Sequence, residues 1–194
     1  MSNVAITATA IACVTAMTIS VYPGVLNDLF LITILLSFLV VPTVGAILLA
    51  VVTYLAVEGK LRRPKIPWKG IAAVFTILLA TYVLLKFYVP RRIAFALSQS
   101  TFEAQLAKAS PSARGGAPMN SMIGVYRVDK FAADPRGGVF FRVHSGKDGI
   151  GPDAMTYGFA HKPNAEGTPF GAAHYRTYRL GGDWFWFHAS DDWD

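Results

Sequence analysis

Cysteine is almost absent from this chain: Cys13, in an apolar stretch near the N-terminus, is its single copy. No intramolecular disulfide can therefore form, and the C-terminal half has to be stabilised by packing. The segment Ala10–Cys13 has some likeness to a lipoprotein processing site, but no Lys or Arg precedes it. We therefore prefer a membrane helix here, with a cleaved signal or lipid anchor as the alternative.

Acidic residues are scarce in the first 114 residues, which contain three of them against ten basic residues. The remaining 80 residues carry eight basic and nine acidic groups, so they are close to neutral. The net charge of +6 therefore flanks the apolar stretches instead of forming the basic face of a nucleic-acid-binding protein. We expect no nucleic-acid partner.

Three long apolar stretches fill the N-terminal half, at residues 4–21, 29–57 and 71–89. A membrane-crossing helix needs about 20 apolar residues for a hydrocarbon core of about 30 Å. All three stretches are therefore predicted to be transmembrane helices. Threonines dilute the first, although their hydroxyls can bond to the preceding turn. Pro42 predicts a kink in the second.

Basic residues mark the joint between the second and third stretches: Lys60, Arg62, Arg63, Lys65 and Lys69. The positive-inside rule predicts that this joint is cytoplasmic, although it is also a candidate docking site for anionic lipid or a cytoplasmic partner. The joint at residues 22–28 has no basic residue and is predicted to lie outside. The third span then leads outward and gives the C-terminal domain an extracytoplasmic location. Three basic residues on the outer side argue against this orientation: Lys86, Arg91 and Arg92.

Helix-forming residues follow Pro90, with apolar side chains at Ile93, Leu97, Phe102 and Leu106. This pattern predicts a juxtamembrane helix, which a Ser-, Pro- and Gly-containing linker ends. The predicted organisation is a transmembrane region at 1–90, a juxtamembrane helix and linker at 91–118, and a small β domain at 119–194.

Alternating apolar residues predict about five strands in the C-terminal domain, at residues 123–128, 138–144, 155–161, 174–180 and 183–188. Gly181-Gly182 has the chemistry of a tight hairpin turn, and residues 134–137 predict another turn. The fold class expected is therefore a membrane α region of about three transmembrane helices followed by a small antiparallel β-meander domain.

Aromatic residues outnumber aliphatic ones in this domain, with fourteen Phe, Tyr and Trp against seven Ile, Leu and Val from Gly115 onward. Large rings bury much area, so they can form the core of a small domain that lacks disulfides. The alternative is an exposed surface on which Trp184, Trp186 and His188 share one face of the last strand. Because Phe185 and Phe187 occupy its other face, that strand is either covered on both sides or part of a binding surface.

All four histidines, His144, His161, His174 and His188, fall on predicted strands of this domain. A sheet can bring two or three of them together, but their spacing is not that of a metal site. Structural or surface roles are therefore preferred, and we expect neither a metal nor a cofactor.

The Gly-rich segment 145–153 contains three further candidate binding residues, Lys147, Asp148 and Asp153. Its glycines allow an anion to approach the backbone, but the P-loop and EF-hand patterns both fail, which favours a plain turn. The acidic tail adds Trp193 as a candidate contact for a partner.

No nucleophile–base motif such as G-x-S-x-G or H-E-x-x-H occurs in the sequence. We therefore expect a binding or interaction module held at the membrane, with the lipid bilayer and a membrane-protein partner or a second copy as its contacts. It would suit an accessory subunit of a membrane complex. The alternative is a membrane-bound enzyme that uses the His and Asp groups of the C-terminal domain.

Overall fold

The computed structural model describes residues 3–24, 52–55, 68–107, 116–147 and 154–190. Three helices are delimited within these ranges: α1 (Asn3–Ile19), α2 (Trp68–Lys86) and α3 (Val89–Leu106). Residues 52–55 are also helical. Six strands follow: β1 (Ala117–Ile123), β2 (Tyr126–Ala133), β3 (Val139–Lys147), β4 (Ala154–His161), β5 (Arg176–Gly181) and β6 (Trp184–Ser190).

The prediction of about three transmembrane helices is wrong. Among the described residues, no single helix combines the length and apolar composition needed to cross a membrane. Only the pair Ala72–Lys86 and Val89–Leu106 meets these criteria together, and that pair is bent by 51°. The first predicted span ends at Ile19 after 17 residues, which is about 25 Å of helix. The second, residues 29–57, lies outside the described residues except for 52–55.

The third predicted span fails because a count of apolar residues does not locate the end of a helix. Its apolar stretch runs to residue 89, but α2 ends at Lys86. Tyr88 then adopts a left-handed conformation with φ of 54°, and α3 starts in a new direction at Val89. A bulky residue is uncommon in the left-handed backbone conformation, so the contacts around Tyr88 have to hold it there.

Helices α1 and α2 pack against each other, and several of their threonine hydroxyls are bonded within their own helices. Thr15 and Thr18 donate to the carbonyl oxygens of Ile11 and Val14, each at 2.9 Å. Thr81 in α2 likewise donates to Ile77 at 2.8 Å. The expectation that threonines of the first stretch bond to the preceding turn is therefore confirmed for Thr15 and Thr18.

The six strands form one antiparallel sheet in the order β1-β2-β3-β4-β6-β5, so the predicted five-stranded meander is also wrong. Strand β4 pairs with β6, and β5 lies at the edge. The chain reaches that edge through the connection at residues 162–175 before it turns back. The architecture of the described chain is mixed α/β, with helices and a sheet that share a core.

Two strand boundaries show where the alternation pattern succeeded and failed. The predicted single strand at 123–128 is divided, because Gly124 has φ of +60° and turns the chain between β1 and β2. The hairpin at Gly181-Gly182 is confirmed: β5 and β6 pair antiparallel on either side of it, and Gly182 has φ of +53°.

Helix α3 covers one face of the sheet. Its inward side contributes Phe95 and Phe102, which pack with rings of four strands: Tyr126, Phe141, Phe159 and Trp184. The other face has a smaller cluster in which Phe170, from the β4–β5 connection, packs with Phe140 and Phe187. Strand β6 is thus covered on both sides, as one of the two sequence interpretations required.

Candidate functional site

The junction between the helices and the sheet is formed by the C-terminal ends of α1 and α2 and by the first turn of α3. After α1, Tyr22 donates its hydroxyl to the Val125 carbonyl oxygen at 2.6 Å and packs on Tyr126. Gly24 lies so close to Tyr157 that an added Cβ would be 2.5 Å from its ring. After α2, the ring of Tyr88 packs on Trp186 at 5.3 Å between centroids. The ends of α1 and α2 therefore meet the same region of the sheet.

Arg91, in the first turn of α3, lies at the centre of this junction and is only 5% exposed. Its guanidinium carbon is 4.4 Å from the centre of the Trp186 ring and 5.3 Å from that of Tyr88. Its Nη2 donates to the Tyr22 carbonyl oxygen at 3.4 Å. The side chain therefore connects the end of α1, the α2–α3 turn and strand β6.

This arginine is buried without a carboxylate contact among the described residues, and its Nε has no hydrogen-bond partner in that part of the chain. Burial lowers the pKa of Arg91 to about 10, with a partial opposing effect from Tyr88, Tyr126 and Tyr157. The group stays protonated at neutral pH, so the junction contains a buried positive charge. Burial likewise raises the pKa of the Tyr126 hydroxyl, which stays neutral.

The arrangement suits cation recognition by aromatic rings rather than acid–base chemistry. Contacts of a desolvated guanidinium with ring faces contribute up to about 2 kcal/mol each, whereas removing a charge from water costs several kcal/mol. The rings and the Tyr22 carbonyl offset part of that cost. Arg91 and the rings around it therefore hold the helix ends on the sheet, but they add little to the free energy of unfolding.

Replacing Arg91 by methionine is expected to change the free energy of unfolding by less than about 1 kcal/mol, because the apolar side chain fills similar volume and removes the desolvation cost. Arg91→Ala, which leaves a void, is expected to lose about 2 kcal/mol. Denaturant unfolding of the full chain in mild detergent measures both, with the exposed Arg92→Met as the control. Equal large losses in both Arg91 variants would show instead that the charge itself stabilises the junction.

The predicted aromatic residues Trp184 and Trp186 are buried against α3 rather than displayed on the surface. Trp184 belongs to the core around Phe102, and Trp186 stacks on Tyr178 with centroids 4.2 Å apart and contacts Arg91. His188 is half-buried near Tyr157 and Tyr178. Of the candidate binding residues, Trp186 and His188 are therefore the two that the fold brings to the junction.

The four histidines do not gather at one place. His144 and His188 lie on either side of Tyr157, each opposite it in the strand register. His161 packs on Trp184 at 5.1 Å, and burial, followed by the charge of Lys162, lowers the pKa of its imidazole. His174 precedes β5 with φ of 52° and is exposed. The described residues contain no group of three or more His, Cys, Asp or Glu placed to hold a metal ion.

The other candidate residues lie at the end of a strand, at the start of a helix or outside the described ranges. Lys147 is the last residue of β3, where it pairs with Ala154. Lys69 is exposed at the start of α2. The remaining candidates lie outside the described residues: Asp148, Asp153, Trp193, Lys60, Arg62, Arg63 and Lys65.

Arg91 was missed as a site residue because its charge was assigned to membrane topology. The signal was present in its helical spacing: the buried residues of α3 are Arg91, Ala94, Phe95, Ser98 and Phe102. Steps of three and four residues place Arg91 on the inward stripe.

Comparisons with protein-family models, curated proteins and solved structures found no match to this chain.

Proposed function

We propose that this protein is a membrane-attached interaction module, in which α1 and α2 lie against lipid and hold the sheet at the membrane surface. One observation carries the proposal: α2 exposes large apolar side chains along a single stripe. Phe75, Leu78, Leu79 and Tyr82 follow steps of three and four residues, with Phe75 65% exposed. Exposed apolar surface of this kind is typical of contact with a membrane or a partner.

Lipid is the occupant that the rest of the helix pair favours. Helix α1 has no charged residue, and it too exposes apolar side chains, at Ile11 and Val14. Threonine hydroxyls of both helices, including those of Thr15, Thr18 and Thr81, donate to their own helix backbone, which is the arrangement that hydrocarbon requires of polar groups. A protein partner would not impose that condition.

The direction of the helices supports an extracytoplasmic location for the sheet. Because α1 and α2 pack together and both end at the junction, they run in the same direction. Lys69, at the beginning of α2, is about 25 Å of helix away from Lys86, at the end of α2 that leads to the sheet. Lys69 is the described residue of the basic joint, and the positive-inside rule favours the cytoplasm for that joint, so we propose that the sheet lies on the opposite side.

The interaction surface that we propose on the sheet is its uncharged edge. Strand β1 contains no charged residue, and Met122 and Val125 of the β1–β2 hairpin are exposed. The bond between Tyr22 and the Val125 carbonyl oxygen holds this hairpin beside the end of α1, next to the proposed lipid boundary. A second membrane protein is the partner that can contact both the β1–β2 hairpin and the adjacent lipid boundary.

Two matched double variants test the two parts of this proposal. Leu78→Glu with Leu79→Glu alters the stripe on α2, and Met122→Glu with Val125→Glu alters the hairpin; each replaces two exposed apolar residues by two carboxylates. The full chain is expressed in its native membrane. Alkaline carbonate extraction measures membrane attachment, and mild-detergent purification followed by mass measurement detects a stoichiometric partner.

The α2 variant is expected to appear in the carbonate-soluble fraction, because a charged side chain at the centre of a helix in lipid costs about 2.5–3.5 kcal/mol. The hairpin variant is expected to stay in the membrane and to lose the partner. Full extraction of the unaltered chain would contradict lipid attachment. A partner that is absent from the unaltered chain, or retained by the hairpin variant, would contradict the proposed role of the hairpin.

A further inference from the structure

The outward side of α3 is unusually apolar at its beginning. Ile93 and Leu97 are 57% and 76% exposed, and they are four residues apart, so they share one face of the helix. Phe87, in the turn before α3, is also largely exposed. These side chains are not part of the aromatic core, which the opposite side of α3 forms through Phe95 and Phe102.

Basic residues border these exposed apolar side chains. Lys86 is exposed at the end of α2, and Arg92 is exposed next to Ile93. The side-chain ion pairs of the described residues use other bases, namely Arg136, Arg142 and Lys162. Lys86 packs over the Tyr82 ring, and Arg92 donates to the backbone carbonyl oxygen of Arg179. Neither charge is neutralised by a carboxylate in these ranges.

The position of this surface along the chain identifies its environment. The apolar stripe of α2 ends at Tyr82, one turn before Lys86, and the chain bends by 51° between α2 and α3. Lys86, Phe87, Arg92, Ile93 and Leu97 therefore lie where the proposed lipid contact ends and the sheet begins. Aromatic and long basic side chains are the residues typical of this depth, because their apolar parts contact lipid while their charges reach the headgroups.

We propose that Lys86 and Arg92 bind the phosphates of anionic phospholipids, with Phe87, Ile93 and Leu97 in contact with the upper acyl chains. This inference rests on the proposed membrane attachment and specifies the lipid class. Anionic lipid fits better than free phosphate because a soluble anion gives no reason for three large exposed apolar residues beside the two charges. A basic residue near an anionic surface favours binding by roughly fivefold.

Lipid-quenching measurements test this surface on the full chain in vesicles. A fluorescent label is attached at Leu97→Cys or, separately, at Leu79→Cys, in a Cys13→Ser background. Two vesicle preparations contain the same mole fraction of phosphatidylglycerol in phosphatidylcholine. In one preparation the phosphatidylglycerol carries brominated, quenching acyl chains, and in the other the phosphatidylcholine carries them. Quenching at residue 97 by each lipid, normalised to its mole fraction, gives the local lipid composition.

Phosphatidylglycerol is expected to be enriched roughly threefold to tenfold at residue 97 and close to bulk composition at residue 79. Lys86→Gln with Arg92→Gln should abolish the enrichment. Arg127→Gln with Lys130→Gln, an equal loss of charge on strand β2, should leave it unchanged. Added inorganic phosphate, compared with sodium chloride of equal ionic strength, should have no specific effect.

The outcomes separate this inference from the function on which it rests. Quenching at 79 without quenching at 97, or equal quenching at 97 by both lipids, would overturn the lipid surface and leave membrane attachment intact. An absence of quenching at both positions would refute membrane attachment itself. Specific displacement by inorganic phosphate would assign the two charges to a soluble anion and overturn the lipid assignment.

Discussion

Replacing Phe102 by alanine is expected to lower the free energy of unfolding by about 3–5 kcal/mol, which is much of the stability of a small domain. Phe102 is completely buried. Its ring lies 5.2 Å from Phe141, 5.4 Å from Phe159 and 5.7 Å from Trp184, measured between centroids. One side chain of α3 thus contacts rings of β3, β4 and β6, and its removal leaves a cavity where helix and sheet meet.

Tryptophan fluorescence of the full chain in mild detergent, followed during denaturant unfolding, measures this loss, because Trp184 lies in contact with Phe102. Leu97→Ala is the matched control: it truncates a large apolar residue of the same helix that is exposed, so its effect should stay within about 0.5 kcal/mol. Similar losses in both variants would mean that α3 is not part of the core of the sheet.

Short-range chemistry explains what could be predicted from the sequence. The β5–β6 hairpin was found because Gly181-Gly182 and the alternation beside it depend on neighbours within a few residues. The position of β6 between β4 and β5 could not be found in this way. It depends on the path of residues 162–175 and on Phe170, which reaches back to cover Phe187. Such contacts between distant residues leave no periodic signal in the local sequence.

The spacing predicted the helix α3, but it could not identify the inward face of that helix, for a related reason. The apolar pattern that predicted the helix includes Ile93 and Leu97 together with Phe102, and in the structure the first two are exposed. The true inward stripe includes Arg91 and Ser98, whose polar character conceals it. Ser98 is buried because its hydroxyl donates to the Ala94 carbonyl oxygen and accepts from the Val125 N–H at 3.2 Å. A polar residue with a tertiary partner looks like a surface residue in sequence.

The candidate site was predicted only in part. Strand alternation correctly placed Trp184, Trp186 and His188 on one face of β6. It did not show that this face is covered by α3, nor that a buried arginine lies against Trp186. Composition had assigned Arg91 to the membrane boundary together with Arg92, and the fold separates these neighbours into a buried and an exposed charge. The position of each arginine around the axis of α3, rather than its charge, decides whether it is buried or exposed.

Gly158→Ala is expected to prevent the sheet from folding, with a loss larger than about 4 kcal/mol. Gly158 is in the middle of β4, opposite Arg142 of β3 and Phe187 of β6. An added Cβ would collide with the backbone carbonyl oxygen of Phe141 and lie 3.0 Å from the Phe187 ring. The register of β3 shifts between Arg142 and His144, directly beside this position. Glycine in a strand is typical of such a close backbone approach.

The clash involves backbone atoms of a central strand, so rotation of a side chain cannot relieve it. Gly181→Ala is the control, because that glycine is at the end of β5 with no atom within 4 Å of an added Cβ, and it should change stability by less than about 0.5 kcal/mol. Limited proteolysis of the full chain in detergent should show rapid cleavage of residues 116–190 in Gly158→Ala alone. Protection equal to that of the unaltered chain would mean that β3 and β4 do not approach as closely as the register requires.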